Sequence, residues 1–189
     1  MSGHGFHVHG PHDHELEHAA HSGDSFASNI AVMTAIMATV GAIFGFQGGA
    51  TQNEAALFKN EAAIKKTEAA NQWNFYQSKS SKQNLAELAM VLPNIDAEKY
   101  KAKVERYETE KAAIKLAAEK LEAESVEWNK KSDAALHQHH RWAQATTALQ
   151  IAISLAAITL LTKKKWLQYT SYGVAIAGTG LAALAWFHI

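Results

Sequence analysis

The chain has 189 residues, enough for one ordinary domain, with 48% apolar and 19% charged residues. Eighteen Lys and Arg balance eighteen Asp and Glu, which excludes a strongly basic nucleic-acid binder, and the lack of cysteine excludes a disulfide scaffold or a thiolate metal site. The averages hide a segregated pattern: no charged residue occurs from Ser25 to Asn53, from Trp142 to Thr162, or from Trp166 to the end, runs of 29, 21 and 24 residues.

The first 27 residues form a histidine-rich tail. Seven of the eleven histidines lie here (His4, His7, His9, His12, His14, His18 and His21), interspersed with Asp13, Glu15 and Glu17. Neutral imidazoles ligate Zn(II), Ni(II) and Cu(II), and carboxylates add hard oxygen donors, so the tail is a candidate metal segment. With a helix starting near Pro11, His14, His18 and His21 share one face. Removal of Met1 would expose Ser2-Gly3-His4, whose amine, two amides and imidazole suit square-planar Cu(II) or Ni(II). The bland alternative is a solvated, pH-responsive tail, because a His-rich tract fixes no coordination geometry.

A bilayer core of roughly 30 Å needs about 20 apolar residues in a helix, whose backbone satisfies its own hydrogen bonds. Residues 28–48 meet that length. The leader ahead of them has no Lys or Arg and carries four acids, and the apolar run is longer than a signal-peptide core, so the segment is expected to be retained. Gly41, Gly45 and Gly49 recur every four residues and would let another helix approach closely.

Residues 49–141 are rich in Ala, Glu and Lys, with one proline and no glycine beyond Gly49. Pro93 ends one helix and Asp96 can cap the next, so the sequence predicts a helical hairpin with arms at about 52–92 and 96–140. The second arm repeats Tyr100, Tyr107, Ile114, Leu121, Trp128 and Ala135 at seven-residue steps, supported by Val104 and Ala118, which predicts a coiled-coil seam. The first arm is expected to answer with Leu57, Ile64, Asn71, Ser78, Leu85 and Leu92, its polar middle pair setting register. Tyr107, Ile114, Leu121 and Trp128, with the three glycines, are the candidate interface residues.

Residues 142–162 form a second candidate span, the most polar of the three, with Gln144, Thr146, Thr147, Gln150 and Ser154; a buried soluble helix is the alternative reading. His137, His139, His140 and Arg141 precede it as an interfacial rim or a small ion or headgroup site. Lys163–Lys165 make a short basic loop before a third span at 166–187, where Gly173 and Ala177 repeat the small-residue spacing. Trp142, Trp166, Tyr169, Tyr172 and Trp186 stand at the ends of these spans, as aromatic rings at headgroup level would.

The short lysine loop sets the expected topology: it and the amino terminus are cytoplasmic, and the hairpin is periplasmic. Lys130, Lys131 and Arg141 pull the other way, but they flank a hairpin longer than the loops over which the rule works best.

The segments ATQNEAALFKNEA at Ala50–Ala62, NQWNFYQSKSSKQNL at Asn71–Leu85 and HQHHRWAQATTALQIAISLAAITLLTKKKW at His137–Trp166 resemble bacterial membrane proteins grouped as domain of unknown function forty-three thirty-seven. That resemblance covers most of the chain. It implies three spans with a helical domain between the first two, and it carries no activity, cofactor or site residue with it.

The predicted fold is thus an all-α membrane protein with three transmembrane helices and a long extramembrane coiled-coil hairpin between the first and second. No predicted span contains Asp, Glu, Lys or Arg, which disfavours a proton relay, and neither a phosphate-cradling glycine loop nor a nucleophile elbow occurs. The function expected is non-enzymatic: a multi-pass inner-membrane scaffold that self-associates or docks a protein partner. Two alternatives are a divalent-metal accessory protein that uses the tail, and an oligomeric pore lined by Thr146, Gln150 and Ser154.

Overall fold

The computed structural model describes residues 25–94 and 96–187, and their regular structure is entirely helical. Helix α1 spans Ser25–Met90 (66 residues), α2 Ala97–Thr162 (66 residues) and α3 Lys165–Trp186 (22 residues). The two long helices form the predicted hairpin. The last turn of α1 tightens, with the Val91 and Leu92 amides donating to the Leu88 and Ala89 carbonyls, and Pro93 ends the helix. Asn94 then takes a left-handed conformation (φ 63°), and the Asp96 carboxylate accepts from the Lys99 amide at 3.3 Å as the expected cap of α2. At the other end of α2, Lys163 adopts φ 55° and its amide donates to the Thr159 carbonyl at 2.8 Å, closing the helix in the left-handed manner.

The sequence divides candidate span from hairpin arm at residues 48–49 and again at 141–142, yet α1 and α2 pass through both places without a break. Glycine in a helix interior costs about 1 kcal/mol relative to alanine, and the 66-residue α1 carries Gly48 and Gly49 without ending. Gly48 is buried, and a side chain there would meet Trp142 Cβ at 3.4 Å. Packing therefore uses the missing side chain as a point of close approach.

The chain divides into two compact units. The first holds residues 25–52 and 137–187, where all three helices pack together. Ile30, Met37 and Phe44 of α1, Trp142, Leu149 and Ala156 of α2, and Ser171, Gly178 and Ala185 of α3 are all buried, each set at seven-residue steps. That step keeps a contact stripe facing the neighbouring helix when helices supercoil gently around one another. The second unit, Asn53–Leu136, is an antiparallel pair with a narrow seam. Its buried residues are Ala55, Ala62, Ala69 and Ala86 on α1 and Ala118, Ser125, Ser132 and Ala135 on α2.

Candidate functional site

The recurring device in both units is a small or medium polar side chain that donates to a backbone carbonyl of the facing helix. In Asn53–Leu136, Ser125 Oγ donates to the Ala62 carbonyl at 2.9 Å and Ser132 Oγ to the Ala55 carbonyl at 2.8 Å. Both hydroxyls are buried, and each carbonyl uses its second lone pair, since its first accepts within its own helix. Only small residues on both sides allow backbones near enough for such a bond.

In the other unit His139 continues the seven-residue step, with Nδ1 2.8 Å from the Gly48 carbonyl. A carbonyl can only accept, so this hydrogen bond requires the proton on Nδ1. Ser171 Oγ of α3 donates to the Ala152 carbonyl of α2 at 2.7 Å, and Gln138 Nε2 donates to the Ala185 carbonyl at 3.3 Å. In the same unit the Phe44 and Trp142 ring centroids are 5.5 Å apart, and Trp142 and Trp186 meet edge to face at 6.5 Å. All three helices of this unit thus meet at one end through a histidine, a glutamine and three rings.

Around its seam, the Asn53–Leu136 unit carries a lattice of charge. Lys79 ion-pairs with Glu110 and lies over the Phe75 and Tyr107 rings at 5.2 and 5.6 Å. The hydrogen bond from Lys79, and then the cationic charges of Lys79, Arg106 and Lys82, hold the Glu110 carboxyl below its ordinary value. Lys65 is raised in turn, first by its hydrogen bond to Glu68 and also by Glu124. Lys66 and Glu122, 3.3 Å apart, add another link between the arms. The exposed Lys66–Glu122 pair adds little stability, whereas Lys79 and Glu110 are half-buried.

The predicted interface residues divide between contacts within the chain and open surface. The glycine spacing pointed to Gly41, Gly45 and Gly49 as one face; Gly41 does face Leu149, which a side chain there would meet at 3.8 Å, but Gly45 and Gly49 are open. Gly48 and Gly178 make the close approaches instead, and a side chain at Gly178 would lie 2.9 Å from Ala148 Cβ. Gly173 is open and Ala177 exposed. In the second arm, Tyr107, Ile114, Leu121 and Trp128 are half-buried, and Trp128 lies 5.6 Å from Phe58 of α1, so that seam does face the first arm. The first arm does not answer as predicted. Leu57, Ile64, Leu85 and Leu92 are 60, 44, 67 and 52% exposed, and Ala55, Ala62 and Ala69, two positions earlier in the repeat, are buried instead.

The tail histidines His4 to His21 lie outside the described residues. Of the later group, His139 is committed to Gly48 while His137 and His140 are exposed, and among the described residues no group of three His, Cys, Asp or Glu is arranged to hold a metal ion. Thr146 and Ser154, candidate pore residues, donate to the Trp142 and Gln150 carbonyls of their own helix.

Three helices account for nearly all of the described residues, and a match to one family model, described as a domain of unknown function, covers residues 26–188. The chain belongs to the DUF4337 family. No curated protein and no solved structure matches it. The DUF4337 match takes in α1, α2 and α3 together, so the serine, histidine and glycine contacts above all lie within the family's domain.

Proposed function

We propose that this DUF4337 chain is a non-enzymatic, multi-pass protein of the bacterial inner membrane whose Asn53–Leu136 unit serves as an assembly or docking scaffold. The observation that carries the reading is exposure. Helices α1 and α2 are each long and apolar enough to cross a membrane, and only 17% and 28% of their most apolar windows are buried. A core helix of a soluble protein hides its apolar surface; these leave most of theirs to the surroundings, which lipid accommodates without the penalty water imposes. The polar groups between the helices fit as well, since the buried Ser171 and the half-buried His139 each find a carbonyl on a neighbouring helix.

In this reading α3 is the third span. Trp166 and Tyr169 are exposed near its start and Trp186 and Phe187 near its end, a distribution that suits a span whose aromatic rings meet headgroups. The scaffold role draws on the Asn53–Leu136 unit, where side chains are spent on holding two helices in register. Extraction of isolated membranes tests the anchoring: the protein is expected to stay in the pellet through alkaline carbonate and to leave it only with detergent. Release by carbonate would overturn the membrane reading.

A further inference from the structure

The exposed stripe on the first arm has a property that the rest of the hairpin lacks. Leu57, Ile64, Asn71, Ser78 and Leu85 follow one another at seven-residue steps, and all are exposed. The row one residue before them (Ala56 to Asn84) and the row three residues after them (Asn60 to Leu88) are exposed too, and none of these residues is charged. Every charged residue of α1 from Glu54 to Glu87 lies at other positions of the repeat, among them Glu61, Glu68 and Lys82. The exposed side of α2 is the opposite, with Glu105, Lys115, Glu119, Lys120 and Glu127 all open. A helix face meant for water ordinarily carries charge, so a neutral, half-apolar face of this length on a charged hairpin is a face with a partner.

We propose that this partner is a second copy of the chain, packed in parallel along the same stripe. The proposal rests on the membrane reading above: copies inserted in one bilayer with one topology are related by an axis normal to it, so equivalent helices run in the same direction. Each stripe residue then meets its own counterpart. Such self-pairing is electrostatically acceptable only for uncharged residues, because any Lys or Glu there would face a like charge. The flanking charges agree: in a parallel pair Glu61, Glu68 and Lys82 come beside the neutral Ala56, Ala63 and Gln77 of the other copy. Asn71 meets Asn71, the pairing by which a polar seam residue holds two helices in register at the expense of some stability.

The natural chain has no cysteine, so single cysteines report this geometry directly. In proteoliposomes, Leu57→Cys and Leu85→Cys are expected to oxidise to disulfide dimers several-fold faster than Lys66→Cys and Lys115→Cys, since a disulfide needs facing Cα atoms within about 7 Å. Ile64→Glu and Ile64→Lys should each abolish the Leu57→Cys dimer while leaving helicity unchanged, because Ile64 points away from the hairpin seam; mixing the two should restore it. Equal rates at all four cysteines, or no restoration on mixing, would overturn the proposal. So would a dimer that forms only between Leu57→Cys and Leu88→Cys chains, which means antiparallel pairing, or capture of a different protein by Leu57→Cys in cells. If native mass spectrometry shows oligomers but neither stripe cysteine crosslinks, this face is wrong and self-association stands; a monomer throughout removes both.

Discussion

At Gly178 the absence of one carbon decides how closely α3 approaches α2. A Cβ there would sit 2.9 Å from Ala148 Cβ and 3.3 Å from the Ala145 carbonyl, so Gly178→Ala forces the helices apart. We expect a loss of about 1–3 kcal/mol of stability, as for other overpacked cores, read as a lower thermal midpoint in detergent. Gly45→Leu should leave that midpoint unchanged, because Gly45 is open. Ser132→Ala should cost about 1 kcal/mol through its lost bond to Ala55, and Ser132→Val more, by adding bulk where the backbones are closest. The Lys79–Glu110 pair predicts a pH dependence. Glu110 is held below its ordinary 4.5 in the folded chain, so its contribution is complete above that pH and fades as pH falls further through the lowered value. Thermal midpoints measured between neutral and acid pH should therefore fall less steeply below pH 4.5 in Glu110→Gln than in the natural chain.

At the scale of the helix, the same seven-residue arithmetic that located the second arm's seam misplaced the first arm's. Tyr107, Ile114, Leu121 and Trp128 announce their face by size, and that face is half-buried against α1. On α1 the large apolar residues form one stripe and the alanines another, and a rule that puts bulk inside chooses the wrong one. The structure puts Ala55, Ala62 and Ala69 inside because Ser125 and Ser132 reach carbonyls only across a narrow gap. Accordingly Ala62→Leu should destabilise the hairpin by about 1–3 kcal/mol, and Leu57→Ala should change it little. Limited proteolysis within Asn53–Leu136 separates the two: faster cleavage in the leucine variant alone is expected, and faster cleavage of Leu57→Ala would place the bulky stripe in the seam after all. The serine-to-carbonyl rungs leave a sequence signal, small polar residues seven apart on one helix and alanines seven apart on the other. That signal is faint because alanine is common throughout the chain.

For the whole molecule, the membrane reading proposed above carries an expected orientation, with the loop of three lysines in the cytoplasm. A cytoplasmic reporter fused after Lys165 should be active and one inserted near Pro93 inactive, with an exported reporter giving the reverse. Opposite labelling at both sites would invert the orientation without altering the helices. The order of elements, the hairpin, its turn at Pro93 and its cap at Asp96, and the apolar stretches of α1 and α2 are all legible in the amino-acid sequence, because proline geometry, capping and hydrophobic length act within a few residues of chain. What only the tertiary structure decided is which faces meet. Gly48 and Gly178 rather than Gly45, alanine and serine rather than leucine in the first arm, and a histidine seated on a carbonyl 91 positions away in the chain depend on how closely two backbones approach. That distance is a property of pairs of helices, set by the smallest residues on both at once, and no single stretch of sequence contains it.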